Sequence, residues 1–388
     1  MNVLISARVL IGAAALSVAA NAQIVMSPLT GFGGADGWLA PGEEGFLTSI
    51  TALGSSTTTP SAAERSIAYS ANTDHLYVTT RQGGSQVMIL DPYTGTQVSS
   101  LDTTGVGGGA LPINSITASA SGVVYASNVA SPVGTNVFRL YRWADELSAP
   151  TVAFETTDLT AGRLGDTLDL IGDGLSTMLV AGESDSTGSG ARNGYAILST
   201  ADGETFNGQL VTFTGTPAPA AGDFRMGITF MDRDTVIGSR GAGMRFTSFS
   251  GGTGVLDSTF TPTAPLERQM DFAIIGGVPI LATLETNGNT TTPADTFSTV
   301  RLYDLTNPAS PVLFTSGRTA NIWDTQGTSG PGSGKVAWGK ISGSQAYLYA
   351  ISAHNGIQAF LVSVPEPSTA AALAFAMTLV IGNGRRRA

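Results

Sequence analysis

Carboxylates are the side chains here that come closest to forming a chemical cluster. Asp166, Asp169 and Asp173 stand near one another, as do Glu183 with Asp185 and Asp232 with Asp234. Oxygen-rich loops of this kind suit Ca²⁺. None follows the spacing of an EF-hand, so solvated turn carboxylates are the expected reading. No cofactor is expected, and calcium is the one ion the acids could serve. The only histidines are His75 and His354, and there is no cysteine. A zinc site needs three or four His, Cys or carboxylate ligands. A serine hydrolase needs a histidine base, and neither histidine is placed for that. Gly-x-Ser-x-Gly and His-Glu-x-x-His are both absent. Gly105, Gly107, Gly108 and Gly109 imitate a dinucleotide fingerprint, but Leu111-Pro112 follows instead of a helix start. A loop is expected. Trp38, Trp143, Trp323 and Trp338 could stack on sugar rings if exposed. Burial is the commoner fate of tryptophan, and Met88, Met178 and Met244 read as core. No catalytic, cofactor-binding or metal residue is assigned, and a non-enzymatic protein is expected.

Charge narrows the partners. The 388 residues carry 12% charged side chains and a net charge of −10, and only two of the 19 basic residues are lysines, Lys335 and Lys340. No basic stripe is present to neutralise phosphates, so nucleic acid is excluded as a partner. Hydrophobic content of 42% is sufficient for a packed core.

The elements that must position any site are short strands. Apolar, β-branched and aromatic runs lie at 75–80, 122–126, 178–181, 235–238, 279–283 and 346–350. Each is followed, after a variable loop, by a second run at 87–90, 137–141, 195–198, 243–246, 300–303 and 358–361. With Leu90, Tyr141, Leu198, Phe246, Tyr303 and Phe360 as markers, the spacings are 51, 57, 48, 57 and 57 residues. A period of this order, with about four strands per repeat, is the signature of a β-propeller. The expected fold is all-β, a propeller of six blades with seven as the alternative. Residues 46–53 read as a strand without a partner, suited to close the last blade and remove its open edge.

Both termini differ from this body. Arg8, the apolar run 9–20 and the small residues Ala20 and Ala22 have the order of a secretory signal, with cleavage after Ala22. At the other end come Pro365-Glu366-Pro367, the apolar run 370–381 and then Arg385-Arg386-Arg387. Residues 368–384 would span about 26 Å as a helix, against roughly 30 Å of hydrocarbon. A short transmembrane-like helix is expected, with the arginines holding the C-terminus on the cytoplasmic side. Between the two processed ends the chain has 15 basic and 29 acidic residues. An acidic surface of that kind favours cations over anionic partners.

This C-terminal order resembles the PEP-CTERM sorting signal of Gram-negative bacteria. The resemblance implies passage through the secretion translocon, transient anchoring in the inner membrane and processing near Pro365-Glu366-Pro367 by an exosortase-type enzyme. It also implies a final place in the cell envelope or outside the cell, often with exopolysaccharide. Within the body, Arg65-Ser66-Ile67-Ala68-Tyr69, Leu140-Tyr141-Arg142-Trp143 and Ala149-Pro150-Thr151 are similar to an uncharacterised propeller-like family often found with such tails. No activity or site residue comes with that likeness.

The expected organisation is a signal peptide with its helix at 1–22, a lead-in at 23–43, a propeller at 44–364 and a sorting and anchor segment at 365–388. The expected function is a binding or structural propeller, in contact with polysaccharide or envelope proteins. The alternative is an extracytoplasmic glycan hydrolase or lyase, whose pair of carboxylates would lie about 5–10 Å apart in the propeller channel.

Overall fold

A computed structural model describes residues 24–40, 43, 64–81, 84–131, 137–157, 162–184, 192–241, 243–262, 266–286, 298–319, 333–353 and 356–365. The signal segment with Ala20 and Ala22, the segment 46–53, and Glu366, Pro367, Arg385, Arg386 and Arg387 lie outside these residues, so both expected terminal helices do as well.

The described chain is all-β, in a propeller-like arrangement of small antiparallel sheets. Two short strands come first, β1 (Val25–Pro28) and β2 (Trp38–Leu39). The first sheet is β3 (Glu64–Ser70), β4 (His75–Thr80), β5 (Gln86–Leu90) and β6 (Gln97–Ser100), side by side in chain order. The next repeats the pattern with β7 (Leu111–Ala118), β8 (Val124–Val129), β9 (Phe138–Trp143) and β10 (Thr151–Thr156).

An eight-stranded sheet follows, made of two such units. One holds β11 (Arg163–Ile171), β12 (Met178–Ser184), β13 (Tyr195–Thr200) and β14 (Phe206–Phe213). The other holds β15 (Gly227–Phe230), β16 (Thr235–Ser239), β17 (Met244–Ser250) and β18 (Thr253–Phe260). Their outer strands touch through a short parallel pairing of Thr212 with Thr253 and Phe213 with Gly254.

Next come β19 (Glu267–Ile275), β20 (Val278–Glu285), β21 (Thr299–Asp304) and β22 (Val312–Arg318). The last sheet has β23 (Gly334–Ser342), β24 (Gln345–Ser352) and β25 (Ile357–Ser363), with β1 and β2 along the outer edge of β25.

The first strands of successive units pack on one another: β3 on β7, β7 on β11, β11 on β15, β15 on β19, β19 on β23, and β23 back on β3. Between each neighbouring pair of units lies an apolar cluster. Ile67, Leu76 and Leu90 meet Tyr349, Ile351 and Ala359, for example. Tyr77 and Ile89 meet Tyr141 and Trp143. Burial of these facing side chains is what holds the sheets together, since each sheet alone would leave both faces wet.

The twelve apolar runs of the sequence fall on the second and third strands of these units, β4 and β5 through β24 and β25. The first and fourth strands carried no such signal. β6 is exposed along its whole length, and the first strands mix polar with apolar residues.

The strand beside β25 is Val25–Pro28. Residues 24–40 of the expected lead-in therefore pack into the body, the compact unit Ile24–Val364. Pro28 is tolerated because β1 is an edge strand. After it, Gly33 and Gly34 turn the chain at positive φ, and Gly33 donates its amide to the Thr94 carbonyl in the β5–β6 turn of the first sheet. Phe32 and Leu39 are fully buried, with the Phe32 ring 5.9 Å from that of Tyr349. The N-terminal segment thus staples the last sheet to the first. At the other end, Val364 donates to the Ser344 carbonyl and Pro365 is exposed, which ends the sheet. Among the described residues no helix is long and apolar enough to cross a membrane.

Phe32→Ala should lower stability by about 3–5 kcal/mol, read as a clear fall in melting temperature. An unchanged melting temperature would show that this segment does not hold the last and first sheets together.

Candidate functional site

The first strands line the central channel, and their N-terminal ends form its mouth. A recess of about 80 Å³ opens there, bordered by Arg65 on β3, Asn114 on β7, Arg163 and Asp166 on β11, Arg225 just ahead of β15, and Gln269 on β19. β11 is kinked for this purpose. Gly165 has φ +95°, and a Cβ there would meet the Asn128 carbonyl at 2.0 Å. The register of β11 against β12 slips over the same stretch, which sets Asp166 facing Arg163.

Asp166 organises the mouth. Arg163 donates to both its oxygens, from Nε at 2.5 Å and from Nη2 at 2.6 Å, and Arg225 adds its Nε at 2.8 Å. This two-pronged hold pushes the Arg163 pKa up, against the opposing pull of burial. Asn114 Nδ2 donates to the carbonyls of Gly165 and Asp166, each at 3.1 Å, tying β7 to the kink. Arg65 Nη1 donates to Ser333 Oγ at 2.5 Å.

Deeper in, the same strands leave only about 10 Å³, beside Lys335. Lys335 leaves β23 and crosses the axis. Its Nζ donates to the carbonyls of Ile116 on β7 at 2.5 Å and Leu168 on β11 at 3.1 Å. Two carboxylates share its charge. Asp169 accepts from Thr229 Oγ1 at 3.0 Å and the Phe230 amide at 2.8 Å. Asp271 accepts from the amides of Trp338 at 2.7 Å and Phe272 at 2.9 Å. Burial pushes Asp169 up, with the Lys335 charge opposing. Burial, and then the charge of Asp169, push Asp271 up to about 7. Burial also pulls Lys335 down, against both carboxylates. The channel is closed at this level by one ammonium group held across its centre.

The acids singled out in the sequence separate along the channel. Asp166 stands at the mouth and Asp169 at the constriction. Asp173 lies past the far end of β11, where it accepts the Gly174 amide at 2.9 Å as a helix cap. Glu183 is buried against Arg192 at 3.2 Å, and Asp185 lies outside the described residues. Asp232 and Asp234 form the β15–β16 turn, as expected of turn carboxylates. No group of three His, Cys, Asp or Glu among the described residues could hold a metal ion. His75 pairs with Glu146 at 2.7 Å, away from the channel, and His354 lies outside the described residues. Trp143 is fully buried and gives its Nε1 to the Asp102 carbonyl, Trp338 is mostly buried, and Trp38 is half-buried; Trp323 lies outside the described residues. The glycines at 105–109 form the loop between β6 and β7.

The arginines of the mouth were missed in the sequence, although a signal existed. Arg65, Asn114, Arg225, Arg268 and Lys335 each stand ten residues ahead of the first residue of the next strand, namely His75, Val124, Thr235, Val278 and Gln345. A polar residue thus recurs at one fixed offset in most of the units, while in the third the same position is Leu168.

No protein-family model matches this chain, and no curated protein does. Solved structures resemble it. A DUF4623 family protein from Bacteroides eggerthii is 14% identical with a TM-score of 0.58, over 79% of this chain and 71% of that one. U3-55K is 9% identical with a TM-score of 0.42, over 77% and 80%. At such identity the first likeness concerns the fold alone.

Removing the lysine should leave two carbonyls without their donor and two buried carboxyl groups without the charge beside them. Lys335→Met is expected to cost about 3–5 kcal/mol of stability, measured by denaturant unfolding. Asp271 makes a pH prediction. Its folded pKa is raised above the ordinary 3.8 to about 7, so the folded chain keeps a proton that the unfolded chain releases. The stability it contributes is complete below pH of about 4 and is lost as pH rises through about 7. Asp271→Asn should flatten the fall in stability over that range; an identical slope in both proteins would contradict a protonated Asp271.

Proposed function

We propose that this protein is exported, sorted by its tail at 365–388, and serves in the cell envelope or matrix as a six-bladed, non-enzymatic propeller that binds a ligand at the channel mouth. The six four-strand units are read as the blades, with β1 completing the last. The observation that carries binding is the recess itself: polar side chains from several first strands converge on one small opening above a channel closed by Lys335.

The carboxylates favour binding over glycan hydrolysis. Asp166 has both oxygens held by guanidinium groups, and Asp169 and Asp271 each accept backbone amides below the constriction. A general acid needs a proton within reach of the scissile oxygen, and these groups are committed elsewhere. The export reading is supported by the order of residues at both termini, and polysaccharide or envelope proteins are the partners it brings.

The sorting reading is tested by fusing residues 364–388 to a neutral secreted reporter in a host with an exosortase. The fusion should be retained at the membrane and then shortened, and replacing Arg385, Arg386 and Arg387 with Ser should release it. A soluble, full-length fusion would refute sorting. The binding reading is tested with the purified protein on an array of neutral and acidic glycans, where capture of none would refute it.

A further inference from the structure

We infer that the channel mouth is an oxyanion site, taking a carboxylate, phosphate or sulfate group of a larger ligand on Arg65 and Arg225; this rests on the binding reading above and names its ligand class.

Three guanidinium groups border the recess and one carboxylate answers them. Arg163 spends its fork on Asp166, which leaves Arg65 and Arg225 in surplus. Arg65 Nε is buried with no hydrogen-bond partner. Arg225 gives only its Nε to Asp166 and makes no other side-chain hydrogen bond among the described residues. Behind Arg225 the charge is again positive. Burial, then the charges of Arg240 and Arg225, pull the Arg268 pKa down, and Arg268 Nε is likewise buried without a partner. Buried donors left unmatched within a fold are unfavourable unless something else accepts from them. A planar guanidinium presents paired donors that fit two oxygens of one anionic group. The 80 Å³ recess admits an acid group and leaves the rest of the ligand outside the rim. The chain as a whole is acidic, at −10, so this positive mouth is a local exception and selects its partner at short range.

The test is titration calorimetry of the full chain with four probes: acetate, glucuronate, inorganic phosphate and inorganic sulfate. At least one should bind saturably, with affinity reduced at least tenfold by Arg65→Gln with Arg225→Gln. The Lys pair, Arg65→Lys with Arg225→Lys, keeps the charge for folding and loses the fork, and should weaken binding severalfold. Arg233→Gln, beside Ser176 past the far end of β11, should leave it unchanged. No saturable binding of any probe, or binding untouched by both pairs, or an equal loss in Arg233→Gln, would overturn the oxyanion site. If a neutral glycan still binds and Asn114→Ala abolishes it, the binding reading survives that failure; if no glycan binds either, both fall.

Discussion

One ammonium group on the axis sets the terms for the rest of the fold. Lys335 is anchored on β23, yet it donates to carbonyls on β7 and β11, strands that are not neighbours of β23 in the ring. A charge in that position requires counter-charge; Asp169 and Asp271 face it, Asp271 holding a proton until pH rises through about 7. Those carboxylates in turn fix the backbone of Phe230 and Trp338 by accepting their amides. Four first strands and the one carrying Lys335 are thus tied by a single network. Such a network is strong only while each member is satisfied.

With the centre closed, the mouth becomes a shallow recess on a rigid floor. The kink at Gly165 turns β11 so that Arg163 and Asp166 lock together, and that pair presents Arg225 to the opening. Because Asp166 is shared between two arginines, it orients cations more than it neutralises them. The outcome is a positive pocket in an acidic protein, built from residues far apart in the chain.

Closure of the ring comes from elsewhere. β1 covers the open edge of β25, and Phe32 and Leu39 pack between the last and first sheets. Apolar clusters at every junction between units supply the remaining cohesion. Each unit contributes half of a cluster, so no unit can bury its faces without its neighbours.

Period and strand type were legible in the sequence alone. The second and third strands of each unit are nearly all apolar because both faces are covered, and twelve of them stand out at regular intervals. His75–Thr80 was readable to the residue. The mouth residues were legible only through their recurring offset of ten residues from the next strand, because a lone arginine such as Arg65 or Arg225 looks the same in sequence whether it faces solvent or a channel. Asp166, Asp169 and Asp173 read as one cluster, yet a strand rises about 3.3 Å per residue, so steps of three and four residues put them at three different depths, the last beyond the end of β11. Which N-terminal segment covers β25 also escaped the sequence. Val25–Pro28 is weakly patterned, and its place is decided by the buried Phe32 and Leu39 that follow. Local sequence determined the strands, through burial of alternating or continuous apolar faces. Only the tertiary structure decided the site, since first strands far apart in the chain had to be brought to one axis before their charges could meet.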